Sequence, residues 1–402
     1  MTVFGNFVDR KWCCHRTQKL VQLFKDLFNA RYILSSSRLA WIDYARGICI
    51  ILVCYRHCFD GLRESHLDVA HYHLLEILNV CFYSFRMPLF FIISGLFVSR
   101  SLQKKRLADY IRSRFYVVFY PLLLWGSLQI TLQLIFRDYV NGKPALFDYV
   151  NLIIFPRNPS NNQQFWYLNA LFFVGAIYAF FKIKLRFSVW VQLGISVVLY
   201  AIAAWMDYSR ITFYIFPDIF HYYIYFCIGD LVAPFIFKRE ATEKMLSPTW
   251  LLLSFISCLP LQAVFTMVNM SHGNDDYVNV NLPFVLLPIS LSGCALMVQF
   301  SQIMQRKNTF RWLRVVGYHS LYIYLMHLMI ISGVRIMLTR LLHITNVPLI
   351  MGVAISMGVV IPVLMYNFCI RLGGWWLFSL KKPVAEINYY ATMKAALKNN
   401  AA

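Results

Sequence analysis

The sequence predicts an all-α fold, a polytopic integral membrane bundle of about ten transmembrane helices. Three observations predict it. Of the 402 residues, 59% are hydrophobic and only 14% are charged, whereas soluble domains carry charge on about a quarter of their residues. Apolar stretches close to the roughly 20 residues needed to cross about 30 Å of hydrocarbon recur along the chain, with polar breaks between them. The 38 Lys and Arg residues gather in alternate breaks, as orientation signals do.

In chain order, residues 1–41 form a basic segment. They lack the apolar core and small-residue cleavage site of a signal peptide. Within them Val21 to Phe28 is short and amphipathic, and is expected to lie on the cytoplasmic membrane surface. A single membrane domain follows over 42–370, with spans at approximately 42–59, 77–99, 115–136, 166–182, 189–206, 219–237, 249–268, 282–300, 315–337 and 348–370. The longest outer connection, 137–165, carries Pro144, Pro156 and Pro159 and the polar run Ser160 to Gln164, giving room for a short interfacial helix and a polar rim. Residues 371–402 are a tail. No internal repeat or low-complexity tract interrupts the order.

Assigning the breaks to alternating sides puts 28 basic residues on one side and 6 on the other. The rich side faces the cytoplasm. Both termini are therefore expected to be cytoplasmic in a multi-pass protein of the cell (inner) membrane. The net charge of +20 sits in short loops, where it meets anionic lipid headgroups; a duplex would require a continuous basic face, so nucleic acid is not an expected partner. Most cysteines lie singly in apolar stretches (Cys49, Cys54, Cys81, Cys227, Cys258, Cys294, Cys369), where a thiol is a small hydrophobe. They identify no redox compartment, and no metal is expected.

Function is read from the ionisable residues kept inside the spans, because each costs a few kcal/mol to insert. The first span holds Asp43, Arg46, Arg56, His57 and Asp60. Arg46 and His57 are eleven positions apart, close to three helical turns, so they share a face at about 16 Å along the axis. A guanidinium near the cytoplasm suits a phosphate or carbonyl, and an imidazole deeper in the membrane suits proton abstraction. The plainer alternative has Arg46 closing the helix end with Asp43 and His57 packed in the core. Arg86 lies in the second span just before Pro88, whose missing N–H frees a carbonyl that must meet protein or a water-lined cavity. Arg86 is expected to face that cavity.

The loop after it, Arg100 to Phe115, is densely basic. Chiefly an orientation signal, it also offers Lys105, Arg112 and Arg114 to the phosphates of an anionic donor. At the outer end of the fourth span, Tyr167 is expected in the interfacial aromatic belt, Trp166 either there or stacked on a sugar, and Asn169 bonding inside the bundle or to the acceptor. In the ninth span His327 is a second deep imidazole, with Ser320 and Tyr324 on nearby turns.

The set Asp43-Tyr-Ala-Arg46-Gly47, His57 after ten intervening residues, Arg86-Met-Pro-Leu-Phe-Phe-Ile-Ile-Ser-Gly95, Trp166-Tyr-Leu and Ser320-Leu-Tyr-Ile-Tyr-Leu-Met-His327 resembles the acyltransferase-3 family of membrane enzymes. The likeness runs over about residues 38 to 370. It implies an acyl-CoA donor, acetyl-CoA in most cases, used as substrate with no tightly bound cofactor. The acceptor is then a hydroxyl of an extracytoplasmic or lipid-linked glycan, such as a polysaccharide, O-antigen or exopolysaccharide.

The essential pair falls on Arg46 and His57, and the second-span arginine on Arg86. The resemblance departs where many members carry a basic Arg-x-x-Arg run entering the third span, since Val117 stands three residues after Arg114. The soluble C-terminal domain that some members add is not in the sequence. On this reading His57 is the general base, with Asp60, Asp43, His327, Tyr324 and Ser94 in support. Ser94 and an acylated His57 keep a covalent route open, and one copy or a homodimer fits equally. A transporter or flippase of a glycolipid or anionic substrate is the rival class, which predicts paired broken helices in matching halves. An acyltransferase of the membrane-bound O-acyl type is a second rival, against which the Arg46-to-His57 spacing argues.

Overall fold

The computed structural model describes residue 28 and residues 30–35, 39–65, 67–69, 71–140, 142–157, 164–273 and 276–389. The expected amphipathic stretch at 21–28 falls almost entirely outside them, as do Arg38 and the end of the tail. Among the described residues every regular element is helical. Nine helices among the described residues are long and apolar enough to cross a membrane. With the first helix, which is long enough but highly charged, they account for the ten expected spans.

We number the ten α1 Ala40–Arg63, α2 His73–Leu102, α3 Leu107–Ile135, α4 Trp166–Ile183, α5 Val189–Tyr208, α6 Phe216–Ile236, α7 Pro248–Ser271, α8 Pro283–Lys307, α9 Ser320–Leu341 and α10 Val347–Arg371. The end of the bundle where α1 starts and α10 finishes is called here the terminal end, and the other the far end. A short helix, Asp148–Ile154, occupies the long far-end connection. At the terminal end, Arg311–Tyr318 leads into α9.

The charged helix is the central one: α1 packs against α2, α8, α9, α10 and the Arg311–Tyr318 helix. Its ionisable groups thus meet protein where an outer helix would present them to lipid. Two glycine crossings make the close approaches. A Cβ on Gly317 would lie 1.7 Å from the backbone oxygen of Asp43, and one on Gly47 would lie 2.4 Å from that of Leu313. Likewise a Cβ on Gly95 of α2 would meet the Phe226 carbonyl oxygen at 2.1 Å, and one on Gly229 of α6 the Ile92 oxygen at 2.2 Å. Only glycine allows these backbones to touch, so the Ser94-Gly95 of the sequence motif marks a helix crossing.

Two local departures from regular helix shape the interior. In α2 the break falls at Phe82, between His73–Cys81 and Tyr83–Gly95, six residues before the proline where the bend was expected. Pro88 remains within the helix, and the turn it weakens opens on a cavity lined by Ser84, Met87 and Pro88. In α3 the helix begins at Leu107, eight residues earlier than expected, and widens into a π-turn at Phe115–Phe119 immediately before Pro121. Arg112 and Arg114 accordingly stand on the helix, not in a loop.

Candidate active site

Seven of the ten helices, α1, α2, α3, α4, α6, α8 and α9, line the space around His57. Its ring lies 5.2 Å from that of His327, centroid to centroid, so α1 and α9 bring the two deep imidazoles together. His327 is fully buried, and its Nδ1 faces the carbonyl oxygens of Tyr324 at 2.9 Å and Ile323 at 3.1 Å. Carbonyls only accept, so Nδ1 carries the hydrogen and Nε2 keeps its lone pair. That Nε2 is buried and has no protein partner.

Two cavities meet at His57. One, of about 320 Å³, is lined by His57, Arg86, Arg157, Trp166, Tyr222 and Tyr324 among others. The second, of about 640 Å³, lies between α1, α3 and α9 and includes Gln129, Gln133, Phe136, Ile331 and Arg335. His57 and Asp60 line both. The imidazole can thus be reached from two sides.

Arg86 lies on the smaller cavity and is buried, with 5% of its surface exposed. Its guanidinium carbon sits 5.3 Å from the centre of the Tyr83 ring, and its Nη1 has no hydrogen-bond partner in the protein. Several other charges within the bundle are paired. Arg56 Nε meets Asp60 Oδ2 at 2.5 Å, with Arg63 at 3.5 Å from the other oxygen. Asp60, expected in support of His57, is thus held by Arg56 and Arg63 one turn beyond it. Asp230 pairs with Lys182 and bonds Ser99, and accepts from the Tyr178 hydroxyl at 2.8 Å.

The far-end roof was not legible as a site. Arg157 donates to the buried carboxylate of Asp218 at 2.7 Å and lies 3.9 Å over the Trp166 ring, whose centroid is also 5.1 Å from that of Tyr222. Trp166 lines the cavity as part of this stack, and its Arg157 face is taken. The reasoning that singled out Arg86, a charge within an apolar span, also applies to Asp230 and Arg335 and would have found them, whereas Asp218 falls one residue outside the expected span. Arg335 donates to the Gly61 carbonyl at 2.6 Å.

Other candidates lie elsewhere. Asn169 is fully buried, and its amide donates to the carbonyls of Leu152 and Ile153, each at 2.9 Å. It pins the Asp148–Ile154 helix to α4, which is the bonding inside the bundle that the sequence offered as one of two readings. Ser94 gives its hydroxyl to the Phe90 carbonyl at 2.9 Å and adjoins the Tyr167 hydroxyl. Tyr167 is itself buried, against Phe90, Phe91 and Tyr324. The aromatic belt expected for it does not hold, because α4 turns this ring inward.

Arg46 is half-buried in the terminal half of α1 and lines neither cavity; together with Arg114 it is within electrostatic reach of Tyr167. Asp43 is buried at the Gly317 crossing. At the terminal end, Lys105 donates to Ser113 at 3.0 Å, Arg114 to the Tyr110 hydroxyl at 3.3 Å, and Arg112 is exposed. A line of side chains thus runs from Arg114 and Arg46 through Tyr167 and Tyr324 to the two histidines.

Among the described residues the chain is thus an all-helical bundle in which a histidine pair and a buried arginine N–H without an acceptor lie at two adjoining cavities. The chain belongs to the acyltransferase-3 family: the family model described as an acyltransferase domain matches residues 39–367. Among curated proteins it is 28% identical over 244 residues to nodulation protein NolL of Sinorhizobium fredii (strain NBRC 101917 / NGR234), a match covering 60% of each chain. It is 27% identical over 192 residues to nodulation protein NolL of Mesorhizobium japonicum (strain LMG 29417 / CECT 9101 / MAFF 303099), 48% of this chain and 47% of that one. The chain therefore spans about half to three fifths of the length of these relatives. No solved structure matches it significantly.

Proposed function

We propose that the protein transfers an acyl group, acetyl in the first place, from acyl-CoA to a hydroxyl of an extracytoplasmic or lipid-linked glycan, with His57 as general base. It does so from the cell (inner) membrane, with the terminal end cytoplasmic. The observation that carries this reading is the position of His57 on both cavities, beside His327 and Arg86.

The donor approaches from the terminal end, its phosphates at the basic residues around Arg114 and its thioester passing Arg46 and Tyr167. The sugar occupies the cavity roofed by Arg157 and Trp166. His57 takes the proton as the acceptor oxygen attacks the thioester carbonyl, forming the C–O bond. Arg86, whose Nη1 is unengaged by protein, stabilises the oxyanion, which is where a charged donor is worth most. Collapse breaks the C–S bond, and the departing sulfur receives the proton from His57, leaving ester and free CoA. His327 is sealed from the cavities and acts through His57 as a positioning residue. Ser94 does not compete as a nucleophile, since its hydroxyl is committed to a backbone carbonyl.

The test uses the purified chain in lipid nanodiscs with acetyl-CoA labelled in the acetyl group and a panel of glycan acceptors. Label moves to the glycan with the native chain and stays on CoA with His57→Ala, while the variant folds and elutes as the native protein does. Transfer by His57→Ala at native rates overturns the assignment, and glycan crossing sealed vesicles with no consumption of CoA points to a transporter.

A further inference from the structure

We infer that Lys381, on the strap that follows α10, completes with Lys105 and Arg114 a phosphate site for the acyl donor. This rests on the acyl-CoA reading above and adds a residue from a part of the chain outside the span matched by the family model.

After α10 the chain reverses at Gly373, whose φ of +84° favours glycine, and crosses the terminal end of the bundle. Phe378 bolts it down: the ring is buried and lies 5.5 Å from Trp125 in a stacked arrangement and 5.0 Å from Tyr366. Trp125 Nε1 donates to the Leu377 carbonyl at 2.8 Å. The next anchor is a backbone bond from Leu380 N–H to the Tyr116 carbonyl, at 3.3 Å. Tyr116 is two residues beyond Arg114, so the strap delivers Lys381 to the turn where α3 presents its basic residues. Lys105 is drawn to the same turn by its bond to Ser113.

Lys105 feels the other two cations. Burial, followed by the charges of Lys381 and Arg114, holds the Lys105 ammonium below the ordinary lysine range, with Asp109 opposing. Like charges held together by backbone anchors carry a repulsion that a phosphate relieves. The place also leads somewhere, since Arg114 is within electrostatic reach of Tyr167 and Tyr167 packs on Tyr324 beside His327. A phosphate here would belong to a ligand whose other end reaches His57.

The same chemistry would suit an anionic lipid headgroup, and the test separates the two sources. Acyl transfer by the full chain, and by Lys381→Ala and Lys381→Arg, is measured in phosphatidylcholine nanodiscs. One donor is acetyl-CoA, and the other a short acetyl thioester of N-acetylcysteamine that carries no phosphate. Lys381→Ala is expected to raise the KM for acetyl-CoA about tenfold, the loss of one charge-assisted contact, with kcat unchanged. Lys381→Arg restores the native KM, and the short thioester does not distinguish the variants. Equal loss with both donors marks a structural role and overturns the inference. So does an unchanged KM for acetyl-CoA alongside weakened binding of Lys381→Ala to phosphatidylglycerol vesicles, which assigns the cluster to lipid. If the native chain used the short thioester but never acetyl-CoA, the donor reading itself would fall.

Discussion

Replacing Arg86 with methionine should remove activity without removing stability. Arg86 is buried, its guanidinium faces the Tyr83 ring and its Nη1 has no acceptor in the protein. Burying an ion costs several kcal/mol after relaxation, and an unpaired buried donor about 1–3 kcal/mol. Against this, the cation–π contact returns about 0.5–2 kcal/mol. Methionine has similar length, lacks the charge and lines the cavity without strain, so the native fold should be no less stable. Catalysis should respond oppositely, because a donor directed at a developing oxyanion contributes about 2.7–4 kcal/mol, or 10²- to 10³-fold in kcat. The assay pairs single-turnover acetyl transfer with thermal unfolding of the same preparation. Loss of thermal stability in step with activity would identify Arg86 as structural, and a kcat within a few-fold of native would show that it meets no charge in the transition state.

Three further outcomes follow from the geometry. His57→Ala should lower kcat by at least 10²-fold, and adding His327→Ala should lower it little further, because residues acting as one unit are not additive; fully additive losses would separate their roles. Gly229→Ala forces a methyl to 2.2 Å from the Ile92 oxygen and should destabilise the fold by about 1–3 kcal/mol, seen as a lower midpoint of heat-induced aggregation. The KM for acetyl-CoA should rise with pH, starting below the ordinary lysine range near about 10.4. Lys105 is held down by burial and by Lys381 and Arg114, so on the proposed reading its charge, and with it the contact to the donor phosphate, should be lost early as pH increases; Lys105→Arg should flatten the profile.

The fold was legible because the membrane imposes one rule on every span, and hydropathy together with loop charge reads that rule directly. The histidines and Arg86 were legible for the complementary reason, since they break it. Partners were not. Helical periodicity says which residues share a face of one helix, but not which face of another helix it meets. Thus the pairs Arg157 with Asp218 and Lys182 with Asp230, and the union of His57 with His327, needed the structure. Tyr167 was misjudged and Asn169 left between two readings for the same cause: position at a span end fixes depth, whereas direction, inward to Tyr324 or across to the Leu152 carbonyl, is fixed by packing.

Direction also separates the basic residues that the sequence places inside spans. Arg56 is committed to Asp60 and Arg335 to the Gly61 carbonyl. Arg46 lies away from both cavities, where it can guide a donor but reaches no acceptor in the roofed chamber. Arg86 alone of the four both lines the cavity beside His57 and holds a buried N–H that no protein atom accepts. A buried donor without an acceptor is a cost carried by the resting protein, and a substrate oxygen is the acceptor that would remove it.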